Sequence, residues 1–336
     1  MDLRDPIGRL PTEVREHVRK RAQPQWFGPM LATLVDKPFS RDGWIFEPKL
    51  DGERCLTFCK ANNPRLLSRN RKLLNQSYPE LVEPLARQPI LSYIIDGEIV
   101  AFKGDVTSFA QLQRRMHVRS ADEARRMGVA VFYYLFDLLY LNGYDLRDLP
   151  LAHRKELLRE VFAFRDPLRF TGHRERDGEA YFRQACRKGL EGVIAKHADG
   201  VYVSRRSHDW LKFKCWQEQE FVIGGFTDPQ GRRAGFGALL LGYYEGNRLR
   251  YAGKVGTGFD TYLLMTLRKE LSRLETSKSP FAEEVRAGNG VHWVRPNLVA
   301  QVSFTQWTRD GKLRHPRFLG LRRDKSFREV VRETPQ

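Results

Sequence analysis

Long hydrophobic runs are missing from this 336-residue chain: no apolar stretch approaches the roughly 20 residues that cross a bilayer. The opening MDLRDPIGRL holds acids and no apolar block, so it does not read as a secretory leader. Cysteine is scarce. Cys55, Cys59, Cys186 and Cys215 show no CxxC spacing, which supports neither a zinc site nor a disulfide framework; reduced cytosolic thiols are expected. Acidic excess is missing as well, since 58 Lys and Arg stand against 41 Asp and Glu, for a net charge of +17. The excess divides into +10 over residues 1–215 and +7 over 216–336, so no basic tail concentrates it. Two basic segments suit a polyanion such as nucleic acid, gripped from two sides. No internal repeat is visible, and the length exceeds what one core usually holds, so two domains are expected.

The texture changes along the chain. Residues 1–24 read as a polar extension, with a helical pattern in TEVREHVRKRA, and WFGPMLATLVDKPFS is a Pro- and Gly-punctuated approach to the first domain. From residue 43, strand-like runs (WIFEPK, RCLTFCK, RLLSR, EGVIAKH, WLKFK) mix with the helical stretches SYPELVEPLARQ, LAHRKELLREVF and GEAYFRQACRKG. LSYIIDGEIVAF is an apolar strand run expected to be interrupted at Asp96-Gly97-Glu98. VAVFYYLFDLLYL is a long aromatic strand closed by Asn142-Gly143. After about residue 215, EFVIGGFTD, GALLLGYYEG, RLRYAGKVG and LVAQVSFTQW surround a single helix, FDTYLLMTLRKELSRL. Short strands about one helix fit a small closed β-barrel of the OB type. The expected plan is α+β. Residues 25–216 form a domain of antiparallel sheets with flanking helices, 217–330 form the barrel, and 331–336 are a tail.

The chemistry gathers in WIFEPKLDGERCL, residues 44–56. Lys49 lies among Ile45, Phe46 and Leu50, yet Glu47, Asp51, Glu53 and Arg54 flank it. A solvated charge run would be polar throughout, and a core strand would not carry so many charges, so a small charged ligand is expected. Lysine becomes a nucleophile when burial or neighbouring cations lower its pKa. Gly52 permits a turn or a close ligand approach, and the Arg54 guanidinium suits phosphate or ribose oxygens. The bland reading is an exposed Asp-Gly hairpin. Residues further along the chain weigh against it. Asp96-Gly97-Glu98 offers carboxylate for a ribose hydroxyl or a divalent metal. Phe136 offers a ring to a purine, although such a residue is more often core. Glu191 opens EGVIAK with a second candidate metal ligand. Lys212 and Lys214 alternate along a strand and so share a face, where two ammonium groups can neutralise a polyphosphate.

In this order the residues resemble the covalent nucleotidyltransferases, and among them the ATP-dependent DNA ligases, from about residue 25 to residue 330. Lys49 to Arg54 matches motif I of that family. Ser68-Arg69-Asn70 comes next, then Asp96-Gly97-Glu98 as motif III, Phe136-Asp137 as IIIa, Glu191 to Lys196 as IV, and Lys212-Phe213-Lys214 as V. Motif VI is matched by Leu321-Arg322-Arg323-Asp324-Lys325. Arg323 stands there where an acidic residue is commoner, which leaves open which arginine does the work. GPMLAT, FEPKLDGER, DGEIVAF, SFAQLQRR, FDLLYLNG and FLGLRRDK are similar to the ligase module of bacterial ligase D, which acts in non-homologous end joining. No polymerase- or nuclease-sized segment accompanies that module in these 336 residues.

The resemblance implies a nucleotidyltransferase domain of the ATP-grasp-like ligase type, followed by the OB barrel. It implies that Lys49 attacks the α-phosphate of ATP, that AMP then passes to a 5′-phosphate at a nick, and that the 3′-hydroxyl displaces it. Lys212 and Lys214 would act beside a divalent cation, Mg²⁺ or Mn²⁺, at Glu98 and Glu191, and these cations would depress the pKa of Lys49. Glu47 would read adenine and Phe136 would stack on it. Arg54 and Arg69 would hold ribose or phosphate oxygens, with Glu98 also near the ribose. Arg322 and Lys325 would swing over ATP to orient pyrophosphate, about a hinge near Gln217–Glu220. The implied partners are nicked duplex DNA, Ku and a separate end-joining polymerase or nuclease. The implied setting is a monomer in the bacterial cytoplasm, away from membranes. A capping guanylyltransferase would use GTP, and SFAQLQRR and GPMLAT argue against it. An RNA ligase commonly lacks this barrel. A non-catalytic DNA-end-binding module would be expected to have lost Lys49, Glu98 or a motif V lysine, and all are present.

Overall fold

The computed structural model describes residues 6–116, 118, 120–231, 233–285, 290–308 and 310–333. The chain divides after Cys215 into two compact units. Among the described residues no helix is long and apolar enough to cross a membrane.

Two sheets build the first unit. In one, Ser92–Val100 and Phe132–Leu141 lie centrally and are buried along nearly their whole length, since both faces are covered. The order is Arg19–Lys20, Tyr144–Asp145, Phe132–Leu141, Ser92–Val100, Glu53–Lys60, Asn63–Ser68, and Leu168–Phe170 lies parallel beside Phe132–Leu141. One face packs on the helices Pro79–Ala86 and Leu151–Val161 through Cys55, Ile99, Tyr133, Leu81 and Leu158. Leu151–Val161 buries residues 151, 154, 155, 157, 158 and 161, the broad stripe expected of a helix on a sheet. The opposite face, with Leu56, Ile94 and Phe136, packs against Trp210 and Tyr202 of the second sheet's side.

That second sheet has the order Arg174–Glu175, Trp44–Lys49, Gly192–His197, Arg206–Lys214, Leu31–Leu34. Phe46, Val193, Ala195 and Phe213 turn the other way and bury against the helix Gly178–Arg187. The period of two along each strand thus sends these apolar residues to the helix and leaves Glu47, Lys49, Lys196, Lys212 and Lys214 on the other face.

Four local expectations change. The helical pattern at 12–22 yields only Thr12–Arg15, and Arg19–Lys20 pairs instead with Tyr144–Asp145. The approach segment contributes a strand, Leu31–Leu34, parallel to Arg206–Lys214. Asp96-Gly97-Glu98 does not interrupt its strand. Asp96 lies opposite Asp137 and Gly97 opposite Leu135, so the irregularity falls on the neighbouring strand, where Phe136 is the extra residue of a bulge. Cys186 and Cys215 are not reduced thiols but a disulfide, with Cα atoms 5.2 Å apart. The helix that carries Cys186 lies back over the sheet, and this brings together two positions 29 residues apart. Cys55 and Cys59 are free and buried.

The second unit is built on one long strand, Gln217–Thr227. Its outer half pairs with Leu239–Glu245, which in turn pairs with Arg248–Val255. On its other edge it meets Val299–Phe304 through residues 217–222 and Val291–Val294 through 225–227. Val299–Phe304 continues to Arg317–Leu321. The helix Thr261–Ser272, capped by the Asp260 carboxylate accepting from Leu263 N at 2.7 Å, buries Leu264, Leu267 and Leu271 in the same core as Phe221, Ile223 and Phe226. Among the described residues these pairings run in an open order and do not close into a barrel. The segment expected to be a hinge, Gln217–Glu220, is laddered to Gln301–Phe304; only Cys215 and Trp216 lie between the flanking strands.

Candidate active site

Register brings the charged residues of the second sheet into rows. Lys49 lies opposite Gly192, and Gly192 lies opposite Lys214. One step along, Glu47, Ile194 and Lys212 form the next row, and Ile45, Lys196 and Trp210 the one after. All face the same side. Gly192 is required where it stands. It has φ +156°, and a Cβ there would lie 1.9 Å from the carbonyl oxygen of Phe213. The residue between Lys49 and Lys214 in this row therefore contributes no side chain of its own. Gly52 serves the adjoining turn in the same way, since a Cβ would meet Ile99 O at 2.2 Å. Asp51 ties that turn to the helix Phe109–Gln113, its carboxylate accepting from Phe109 N at 2.9 Å.

The ammonium of Lys49 donates to Glu191, and the pair is largely buried. Burial presses the Lys49 pKa down. Glu191, by charge and hydrogen bond, and the charges of Asp51 and Glu98 outweigh it and hold the pKa above the usual lysine value. Three carboxylates thus set the charge balance at Lys49. Glu98 and Glu191 both act on Lys49, which places the two metal-ligand candidates about one amine. Among the described residues no three His, Cys, Asp or Glu side chains are placed to hold a metal ion together, so any cation here would complete its shell from substrate and water.

Glu47 is 2% exposed and holds two lysines. Lys155, from the helix Leu151–Val161, donates to one carboxylate oxygen and to the carbonyl of Thr171 at 3.1 Å. Lys196 lies 2.6 Å from the other oxygen. Burial raises the Glu47 pKa, but the two ammonium groups outweigh it and keep the carboxylate below its usual range. Lys196 shifts the opposite way: burial, with Lys155 nearby, lowers its pKa to about 8 despite Glu47. Neither lysine stood out as a site residue in the sequence. Lys196 was visible as the last residue of EGVIAK, two positions from Ile194 and so on its face. Lys155 had no local signal, because its partner lies 108 residues away.

Arg54 is expected to hold ribose or phosphate oxygens. Here it donates to both carboxylate oxygens of Asp96, at 2.6 Å through Nη2, and to Met30 O at 3.3 Å. Burial opposes its charge, but Asp96 reverses this and keeps it protonated. Tyr202 donates to the same carboxylate at 2.6 Å and accepts from Met30 N at 3.0 Å. Asp96 is therefore a structural anchor, while Glu98 stands opposite Arg54 on the cleft face. Phe136 is 7% exposed, with the Lys196 ammonium 4.0 Å and the Arg54 guanidinium 4.7 Å from its centroid. Asp137 beside it pairs with Arg154 at 2.7 and 2.9 Å, both side chains fully buried. Arg69 comes after the edge strand Asn63–Ser68 in a tight turn closed by Arg71 N donating to Ser68 O.

Arg322 and Lys325 lie in the second unit. Arg322 clasps Asp324 with two bonds of 2.8 and 2.9 Å, and Lys325 bonds Glu220. Burial works against the Asp324 charge, but Arg322 and Lys325 outweigh it and hold its pKa low. Arg323 turns to the helix Thr261–Ser272 and pairs with Glu270.

Comparison with known proteins agrees with this arrangement. A family model, "ATP dependent DNA ligase domain", matches residues 29–214, and "ATP dependent DNA ligase C terminal region" matches 232–325. The multifunctional non-homologous end joining protein LigD of Pseudomonas aeruginosa is 42% identical over 324 residues, covering 94% of this chain and 38% of that protein. LigD of Mycolicibacterium smegmatis is 36% identical over 322 residues, covering 94% and 41%. The chain spans about two-fifths of the length of these curated relatives. A solved structure of mycobacterial DNA ligase D complexed with ATP and MES is 35% identical, with a TM-score of 0.67 over 91% of this chain and 98% of that one. The fold is that of the nucleotidyltransferase-type ATP ligases, and the chain belongs to the ATP-dependent DNA ligases.

Proposed function

We propose that this chain seals 3′-hydroxyl/5′-phosphate nicks in duplex DNA through a lysyl-AMP, within bacterial end-joining repair. The observation that carries the reading is the row Lys49–Gly192–Lys214, with Glu191 on the Lys49 ammonium. A triphosphate laid across the glycine meets the nucleophile on one side and a cation on the other. Lys49 Nζ forms its bond to the α-phosphorus as the bond to the pyrophosphate oxygen breaks. Lys214, and Lys212 one row along, balance the charge that accumulates on the phosphoryl oxygens. Mg²⁺ or Mn²⁺ fits the donor set of Glu98 and Glu191, and when bound it would draw their charge away from Lys49 and ease loss of its proton.

The base end supplies specificity. Glu47 presents an acceptor and Lys196 a donor 2.6 Å apart. That pair complements the adenine edge, whose exocyclic amine donates and whose N1 accepts; guanine reverses both roles. Phe136 presents its ring to the base once the ammonium of Lys196 turns to N1. Arg54, Arg69 and Glu98 are assigned to ribose and phosphate, and Arg322 and Lys325 to pyrophosphate in the first step. We read the second unit as an OB-type domain. Nicked DNA is assigned as the partner, with Ku and a separate polymerase or nuclease in attendance, and the enzyme as a cytoplasmic monomer. A basic surface of net +17 supports the polyanion partner.

The test is incubation with α-labelled ATP or GTP and Mg²⁺ or Mn²⁺, followed by denaturation. Acid-labile label from ATP, absent in Lys49→Ala, is expected, and Lys49→Ala should still bind nicked DNA. Label from GTP alone, or ATP-dependent sealing by Lys49→Ala, would overturn the reading.

A further inference from the structure

Beyond Arg54 and Glu98, the same sheet face continues to residues that none of the above roles uses. Arg54, Glu98, Tyr134 and Arg169 lie in one row across four strands. At ordinary interstrand spacing Arg169 stands about 10 Å from Glu98. Phe102 and Phe132 flank it, with ring centroids 5.6 Å apart. The Arg169 guanidinium lies 3.8 Å from the Phe132 centroid. Its orientation is fixed from three directions. Nε and Nη2 donate to the two Asp166 oxygens at 2.6 and 2.9 Å, and Nη1 donates to Tyr134 Oη at 3.0 Å.

This geometry decides what the group can bind. The fork that would clasp a phosphate is filled by Asp166, which also balances the charge. What Arg169 offers is a flat face, braced from beneath by Phe132, and its side chain is 33% exposed. Guanidinium planes and aromatic rings of this kind stack on nucleobases. We propose that Arg169, with Phe132, Tyr134 and Phe102, forms a stacking platform for the nucleobase at one terminus of the DNA being sealed. The inference rests on the ligase reading above and adds a contact to the base rather than to the backbone. Its position beyond Glu98, in line with Arg54, continues the face to which the ribose and phosphate contacts are assigned.

The experiment uses the full chain and two variants, Arg169→Gln and Arg169→Lys; the lysine keeps the charge and loses the plane. Self-adenylylation with labelled ATP, which involves no DNA, is the control arm. Sealing is measured on pre-adenylated nicked duplexes carrying either a normal or an abasic terminal nucleotide on each side of the nick. Both variants should raise the KM for the normal nick about tenfold. They should lose that penalty when the stacked nucleotide is abasic, leave the salt dependence of KM unchanged, and self-adenylylate within twofold of wild type. An unchanged KM, an equal penalty on every abasic duplex, or a weaker salt dependence would overturn the platform. If Arg169→Gln does not fold, Arg169→Lys carries the same outcomes. Failure of the wild type on the normal nick would instead overturn the ligase reading.

Discussion

Lys49 and Lys214 stand opposite the same residue, Gly192, one on each side, and that residue carries no side chain. The proposed nucleophile and the lysine assigned to charge balance thus share a hydrogen-bonded row, and their separation is set by two interstrand spacings, about 10 Å between Cα atoms. A gap of that width, floored by glycine, is what a polyphosphate chain needs to approach the backbone.

Gly192→Ala should break this row. The added methyl meets Phe213 O at 1.9 Å, so the ladder itself must shift. Self-adenylylation is expected to fall at least about 100-fold, roughly 2.7 kcal/mol of transition-state stabilisation. Labelling at the wild-type rate would show that the row is dispensable.

Lys196 should impose a pH dependence. With a pKa of about 8 it carries its charge below that pH and loses it above, while an ordinary lysine would stay charged. Its ion pair with Glu47 weakens as the pH rises through 8. The advantage of wild type over Lys196→Met in kcat/KM for self-adenylylation should be flat below pH 8 and shrink by up to about tenfold per unit above it. A ratio constant from pH 6 to 10 would remove Lys196 from adenine recognition.

Lys155→Met should act on stability and on ATP together. It removes one of two cations from a buried carboxylate and a donor from Thr171 O. A loss of about 3 kcal/mol in urea unfolding is expected. The KM for ATP should rise more than kcat falls, because Glu47 loses its bracing while Lys49 keeps its partners. Equal changes in both would indicate general misfolding instead.

Arg322→Ala should separate the steps. Self-adenylylation is expected to drop about 100-fold, while sealing of pre-adenylated nicks changes less than fivefold. Equal losses in the two assays would argue against a role for Arg322 that is confined to pyrophosphate.

What could be read from the sequence is what alternation along a strand encodes. Glu47 and Lys49, or Lys212 and Lys214, lie two apart, so their shared face results from their spacing. Pairings between distant segments left no such trace. Lys155 reaches Glu47, and Tyr202 reaches Asp96, only because a helix and a loop fold back over a hundred residues. Asp96-Gly97-Glu98 has the composition of a turn, yet the bulge at Phe136 lets it stay extended, so local propensity yielded to the neighbouring strand. The Leu31–Leu34 strand hid among Pro and Gly because its partner, not its own composition, makes it a strand.

The Cys186–Cys215 bridge has a mechanical consequence. Cys215 comes directly after Lys214, and Trp216 is the next residue before the long strand of the second unit. Tension on the chain at Trp216 is therefore divided at Cys215 between the strand that ends at Lys214 and, through the sulfur atoms, the helix Gly178–Arg187, as a clamp shares the strain on a cable. The ladder that sets Lys212 opposite Ile194 and Lys214 opposite Gly192 therefore carries only part of any such pull.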